Sequence, residues 1–325
     1  MKQLNKYAGI TTSIVKPYPK GDEGWRFNLA SNKNTPEWYD GSTEDHLFGS
    51  QYLHEVYFKA DPEYKGKYSV PVLWDKKLNT IVNNESLELL RDLQTAFDGL
   101  KDLPEELREI TLYPEGLRED IDRIGEWMQR DLNTGVYKGT SYSPTENTPS
   151  MSTTPLTPPL AAGFARTQSD YEKNLPSVFA ALNSLEKIAS SNHGPYILGT
   201  TLTELDVRAY ATLIRFDAIY VQHFKCNLGT IRHNYPVLNN WLKGLYWGHT
   251  GNAGGEGGEK VWRDTTELRH IKENYTKSQD YINPLAITPV GPWPVVEEGY
   301  ERDWGKIQPG SVGMPEVLER EKGLK

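Results

Sequence analysis

The string Val-Pro-Val-Leu-Trp-Asp-Lys-Lys-Leu-Asn-Thr-Ile-Val-Asn-Asn-Glu-Ser, residues 70–86, constrains the fold of this chain more than any other stretch. Val70, Val72, Leu73 and Trp74 form an apolar β-type run, Asp75 to Asn79 is polar turn material, and Thr80 to Val82 is a second β-branched run. The pattern predicts a hairpin followed at once by a helix. Asn83 or Asn84 can cap that helix, which Glu85 and Ser86 open. Pro71 cannot donate to a strand ladder, so it belongs at a strand start, an edge or a bend. Proline is also the residue for which a cis peptide is cheap. A cis Val70–Pro71 bond turns the Val70 backbone outward, where its N–H and C=O can grip an extended, peptide-like ligand. The Glu85–Ser86 pair at a helix N-terminus offers free backbone N–H groups, the positive dipole end and a hydroxyl, which together suit an anion.

Composition narrows the partners. The chain has 325 residues, enough for one large domain or two ordinary ones. A net charge of −8 and a pI near 5.5 argue against nucleic acid and anionic membrane, since both call for a basic face. No apolar run approaches the ~18 residues of a membrane span. The first residues carry no apolar core of signal-peptide length. The single cysteine, Cys226, excludes an intramolecular disulfide framework and fits a reducing compartment, so a soluble, cytoplasmic protein is expected. The 9 Trp and 19 Tyr suit a core, and also a site that stacks flat substrates.

Along the chain, residues 1–10 read as the end of a helix, and Thr11 to Lys16 as a strand stopped by Pro17. Tyr52, Leu53, Val56 and Tyr57 share one helical face. Glu85 to Phe97 is a predicted helix with Leu87, Leu90, Leu93 and Phe97 inward. Residues 99–110 read as a linker. Further helices are predicted over 116–132, 169–190, 207–220 and 235–246. Thr203 and Asp206 have capping-box spacing ahead of the third of these, a folding role and not a catalytic one. Residues 139–162, rich in Ser, Thr and Pro, lack any period and read as a disordered insertion. It is either a regulatory loop with Ser/Thr-Pro sites or an unspliced intron. Residues 248–258 are glycine-rich but not a phosphate loop, because no Gly-Lys-Ser/Thr follows. The last ~30 residues, rich in Pro, Gly and charge, read as a tail.

Val-Pro-Val-Leu-Trp-Asp followed by Ile-Val-Asn-Asn-Glu-Ser resembles the glutathione site of the glutathione transferase superfamily, and in detail that of the omega-like (xi) class of glutathionyl-hydroquinone reductases. The resemblance extends through Asn-Thr-Gly-Val-Tyr-Lys (133–138), Gly-Phe-Ala-Arg-Thr-Gln (163–168), the 207–227 segment, Thr265 to Ser278 and the closing run 282–292. It implies an α/β plus all-α protein: a thioredoxin-like glutathione-binding domain over 1–98, a helical substrate domain over 99–290 carrying the 139–162 insertion, and a tail over 291–325. It also implies that Val70 and Pro71 pair with the cysteinyl backbone of glutathione. Glu85 and Ser86 then hold the γ-glutamyl end, and Trp25 flanks the site. Tyr137 and Tyr275 are implied to face an aromatic, glutathionylated substrate. Members of the family are often dimeric, which raises a homodimer as an expectation.

One departure matters for chemistry. In the family a Cys-Pro-Trp-Ala motif between the first strand and first helix carries the reactive thiolate, and this chain contains no such motif. The first βα unit is therefore expected to be missing, leaving the thioredoxin-like domain truncated at its N-terminus. Cys226 lies in a predicted helix where the family carries the same motif without using it as a nucleophile, so it reads as a small buried hydrophobe. His223 reads as structural, with no carboxylate partner nearby in sequence. Two functional readings follow. The first is a glutathione-dependent reductase of S-glutathionyl-hydroquinones, impaired by the absent cysteine. The second is a non-catalytic glutathione transferase-fold protein with a binding or regulatory role.

Overall fold

The structure is a computed structural model, and it describes residues 10–18, 23–100, 105–108, 110–137, 165, 167–250 and 260–315. The expected helix end before residue 10, the 139–162 insertion and most of the glycine-rich 248–258 loop lie outside the described residues. The chain divides into two compact units. The first is Met1–Leu112 with Leu268–Ser278, and the second is Tyr113–Glu267 with Gln279–Lys325. The division thus falls at 112 and not at 98. The 268–278 helix joins the first unit and not the helical one.

The first unit holds helix α1 (Leu53–Ala60), strands β1 (Leu73–Asp75) and β2 (Thr80–Asn83), and helix α2 (Ser86–Thr95). The strands pair antiparallel with Trp74 opposite Ile81 and Asp75 opposite Thr80, and an irregularity lies between Leu73 and Trp74. The connecting turn is set by Asp75, whose Oδ1 accepts from the N–H of Lys77 at 2.7 Å and of Leu78 at 2.8 Å. Asn79 adopts a left-handed φ of 54°, a conformation asparagine tolerates better than most side chains. The small core is Phe27, Leu53, Val56 and Tyr57, against which Trp25, Val72, Trp74 and Ile81 pack. Alternation along β1 and β2 therefore turns Val72, Trp74 and Ile81 toward α1 and leaves Val82 exposed.

Two expectations for this unit change. Residues 11–16 are not a strand; they run beside other loops, with Lys16 N–H donating to the Arg26 carbonyl and Thr43 N–H to the Ile14 carbonyl. A strand requires a paired neighbour, and among the described residues only β1 and β2 form a ladder. In α2 the buried residue is Leu89, whereas Leu87 is 42% exposed. Leu90, Leu93 and Phe97 are partly buried as predicted, so the inward stripe starts at Leu89 and Leu87 alone falls outside it.

The second unit is helical. Its helices are α3 (Arg118–Trp127), α4 (Gln168–Ser191), α5 (Glu204–Arg215) and α6 (Pro236–Trp247), while α7 (Leu268–Ser278) belongs to the first unit. Wide π-type turns extend α3 over Met128–Asn133 and α5 over Phe216–Tyr220. Ile121, Ile124 and Met128, the α4 residues Val178, Phe179, Leu182 and Leu185, and Phe216, Leu238 and Trp241 are all buried, with the 128–133 turn packed on α4 and α3 packed on α5. Phe179 and Phe216 pack edge to face, with ring centroids 6.1 Å apart.

The capping box forms as its spacing predicts, and it does more than cap. Asp206 is fully buried, and its carboxylate accepts from the Thr203 N–H at 2.9 Å and the Thr203 hydroxyl at 3.0 Å. It also accepts from the Ile197 N–H and the Trp241 Nε1–H, both at 2.9 Å. One side chain thereby ties α5 to the preceding turn and to α6.

The expected tail is an ordered strap through residue 315. Asn183 of α4 accepts from the Val312 N–H at 2.9 Å and donates to the Val312 carbonyl at 3.0 Å. One turn further on, buried Glu186 accepts from Val237 and Leu238 N–H at the start of α6, each at 2.9 Å, and from Gly310 N–H at 3.0 Å. Arg232, Asn240 and Trp247 bond the backbone of Val295, Glu301 and Glu297 in the same way. Trp304 lies on Gly194, where a Cβ would stand 2.2 Å from its ring. Composition failed here because the strap is held by its backbone and by the isolated buried side chains Val296, Trp304 and Val312, not by a periodic apolar face.

Candidate functional site

The site is built on the β2–α2 junction and the segment before β1. Val70–Pro71, just ahead of β1, is a cis peptide. Val70 is 42% exposed, and its backbone N–H and C=O make no hydrogen bond to another described residue. An open donor and acceptor on one residue can pair with the backbone of a partner chain or peptide.

At the other side, Asn83 and Asn84 divide the work between them. Asn83 Oδ1 accepts from the Glu85 N–H at 2.9 Å, and its amide holds Glu88 and Asp92 of α2, each at 3.0 Å. Asn84 turns the other way, donating to the Tyr57 hydroxyl at 3.1 Å and to Ser69 Oγ at 3.0 Å. Neither asparagine is the N-cap that the sequence suggests; Asn83 instead braces the N–H of the residue that is. Glu85 occupies the N-cap position, with extended backbone and no side-chain cap bond. Glu85 and Ser86 are exposed, so the first-turn N–H groups and the Ser86 hydroxyl face solvent.

Trp25 is half-buried; it packs against the Phe27–Leu53–Val56–Tyr57 core, and its carbonyl accepts from the Leu53 N–H at 2.9 Å. Tyr275 lies on α7 in the same unit and is buried, at 7% exposure. Tyr137, the other tyrosine that the resemblance implies, belongs to the second unit. Its hydroxyl is 2.8 Å from that of Tyr220, and its ring packs edge to face with Tyr220 and Phe224 at 5.7 and 5.3 Å. Sequence reasoning missed Tyr220. It sits on a wide turn within an apolar run, where a tyrosine reads as core.

The thiol and the imidazole are both structural in environment. Cys226 is 3% exposed, and burial pushes its thiol up to about 12. At neutral pH it is a protonated, inaccessible group. His223 is also buried; its Nε2 lies 2.7 Å from Gln279 Oε1, with burial holding its pKa below the ordinary value. Among the described residues no cluster of His, Cys, Asp or Glu is arranged to hold a metal.

Comparison with known proteins places the chain in a family. The model of the glutathione S-transferase C-terminal domain matches residues 168–244, spanning α4 to α6. Glutathione S-transferase omega-like 2 of Schizosaccharomyces pombe is 44% identical over 297 residues, covering 91% of this chain and 81% of the relative. The chain belongs to the omega-like, or xi, class of glutathione transferases. Glutathionyl-hydroquinone reductase YqjG of Escherichia coli is 35% identical over 294 residues, covering 90% of this chain and 74% of its own. The glutathione-bound structure of YqjG superposes with a TM-score of 0.72 at 34% identity, covering 93% of this chain and 80% of that one. The xi glutathione transferase of Phanerochaete chrysosporium gives the same TM-score at 38% identity, with 90% and 85% covered. The xi-class fold, a thioredoxin-like unit joined to a helical C-terminal domain, accounts for the hairpin–helix junction of the first unit and the helical core of the second.

Proposed function

We propose that this xi-class chain binds glutathione at the β2–α2 junction, and that its class chemistry is the glutathione-dependent reduction of S-glutathionyl-hydroquinones. The observation that carries the reading is the open Val70 backbone, held in one network with the exposed start of α2. The Val70 C=O and N–H pair with the cysteinyl N–H and C=O of the tripeptide. The γ-glutamyl end is zwitterionic. Its carboxylate takes the Ser86 hydroxyl and the first-turn N–H groups, and its ammonium takes the Glu85 carboxylate. Pro71 fixes the direction of the pairing residue, and Trp25 supports it from the core. Tyr137, its hydroxyl 2.8 Å from that of Tyr220, is a proposed contact for an aromatic group, and the resemblance proposes Tyr275 separately for the same role.

Reduction of the conjugate needs a thiolate that attacks the conjugate's sulfur. The carbon–sulfur bond breaks, the hydroquinone carbon takes a proton, and a mixed disulfide with glutathione remains for a second glutathione to resolve. The one thiol among these 325 residues is Cys226, which is buried, protonated and in the other unit. These residues therefore supply the cradle and not the nucleophile, which favours a binding role for this chain alone, in a reducing compartment such as the cytoplasm.

Calorimetric titration with glutathione tests the reading. Saturable binding is expected, with affinity lowered about tenfold by Ser86→Ala through loss of one charge-assisted hydrogen bond. Absence of heat at millimolar glutathione, or equal affinity in the variant, contradicts it.

A further inference from the structure

The two halves of the proposed cradle lie on separate segments, and one hydroxyl joins them. Tyr57, on α1, is 2% exposed and packs in the core of the first unit. Its hydroxyl donates to the Ser69 carbonyl at 2.8 Å, and accepts from the Ser69 N–H at 3.2 Å and from the Asn84 amide at 3.1 Å. A phenolic hydroxyl has one proton and two lone pairs, so all of its bonding capacity is used. Ser69 immediately precedes Val70, and Asn84 immediately precedes Glu85. Asn84 also donates to Ser69 Oγ at 3.0 Å, which closes the ring of bonds.

We infer that Tyr57 is a positioning residue for the glutathione site. It touches no ligand. Through Ser69 and Asn84 it fixes the separation between the Val70 backbone and the start of α2. The β1–β2 ladder cannot do this by itself, because its paired residues begin at Leu73, three residues beyond Val70. Without the hydroxyl, Ser69 loses both of its backbone partners, and the segment before β1 moves independently of the helix start. A ligand spanning both halves then has to order them on binding, at a cost in affinity. This inference rests on the proposed glutathione reading.

The test is a double-mutant cycle on glutathione affinity, measured by calorimetry well below each variant's melting midpoint. Tyr57→Phe keeps the core ring and removes the hydroxyl; Asn84→Ala removes the other arm. Each is expected to weaken glutathione about tenfold, and the double variant no more than the weaker single one, because both break the same link. A purely structural role lowers the melting midpoint of Tyr57→Phe and leaves the affinity of the folded protein within twofold of wild type. That result, or effects that multiply in the double variant, overturns the inference. If Tyr57→Phe does not fold, Asn84→Ala, which removes the bonds from the helix start to the Tyr57 hydroxyl and to Ser69 Oγ, is read alone, and a glutathione affinity within twofold of wild type overturns the inference. Failure of the wild-type chain to bind glutathione overturns the functional reading and this inference with it. Binding by wild type with unchanged variants overturns the positioning role alone.

Discussion

Single side chains in the second unit show how burial sets chemistry. His223 has a folded-state pKa below the 6.5 of the free side chain, chiefly through burial. As pH falls the unfolded chain therefore takes up the proton first. The stability that neutral His223 contributes is complete above pH 6.5 and is lost progressively below it. Stability measured by urea unfolding should decline from pH 7 to pH 5, and His223→Gln should flatten that decline. Cys226 is shifted the other way, up to about 12, and is inaccessible. A thiol reagent should leave it unmodified in the native protein and label it fully in urea, and Cys226→Ala should leave glutathione affinity unchanged. Rapid native labelling would contradict the burial. Asp206 is the third case, since its carboxylate is the acceptor for Ile197, Thr203 and Trp241. Asp206→Ala should cost about 3–4 kcal/mol in denaturant unfolding, because buried donors are left unpaired at about 1–3 kcal/mol each.

Elements were legible in the sequence where period and chemistry agree. The hairpin, its Asp75 turn, the helices α3 to α6 and the Thr203–Asp206 box all follow from local pattern, because each is fixed by neighbours in sequence. The string 70–86 shows its hairpin and helix start for the same reason, and its glutathione role is the proposal made above. The 268–278 helix was assigned to the wrong unit because nothing local says what it packs on. Arg269 over the Tyr39 ring at 4.9 Å and Lys277 over the Tyr18 ring at 5.3 Å are contacts across more than two hundred residues. The role of Tyr57 was hidden likewise. Its spacing announces a core residue, and only the fold brings Ser69 and Asn84 to its hydroxyl. The C-terminal strap was illegible because backbone groups carry its bonds. It should matter to stability: Trp304→Ala should cost about 3–5 kcal/mol, as for other buried tryptophans. A chain ending at residue 292 should lose more, since Glu186, Asn183 and Asn240 lose partners together. An unchanged melting midpoint on truncation would mean that the strap is an ornament of the surface.

For the whole molecule, the balance is between the proposed glutathione cradle and a thiolate nucleophile that Cys226, buried and protonated, does not supply. With glutathione and an S-glutathionyl-hydroquinone, these 325 residues should release hydroquinone no faster than glutathione alone does. Turnover abolished by Cys226→Ala would overturn that statement, and with it the structural reading of the thiol. The most direct test of the central claim is a crystal structure of the chain with glutathione at saturating concentration. The account predicts the cysteinyl backbone paired with the Val70 N–H and C=O, and the γ-glutamyl carboxylate on Ser86 at the start of α2. Glutathione bound elsewhere, or an empty β2–α2 junction at saturation, would contradict it.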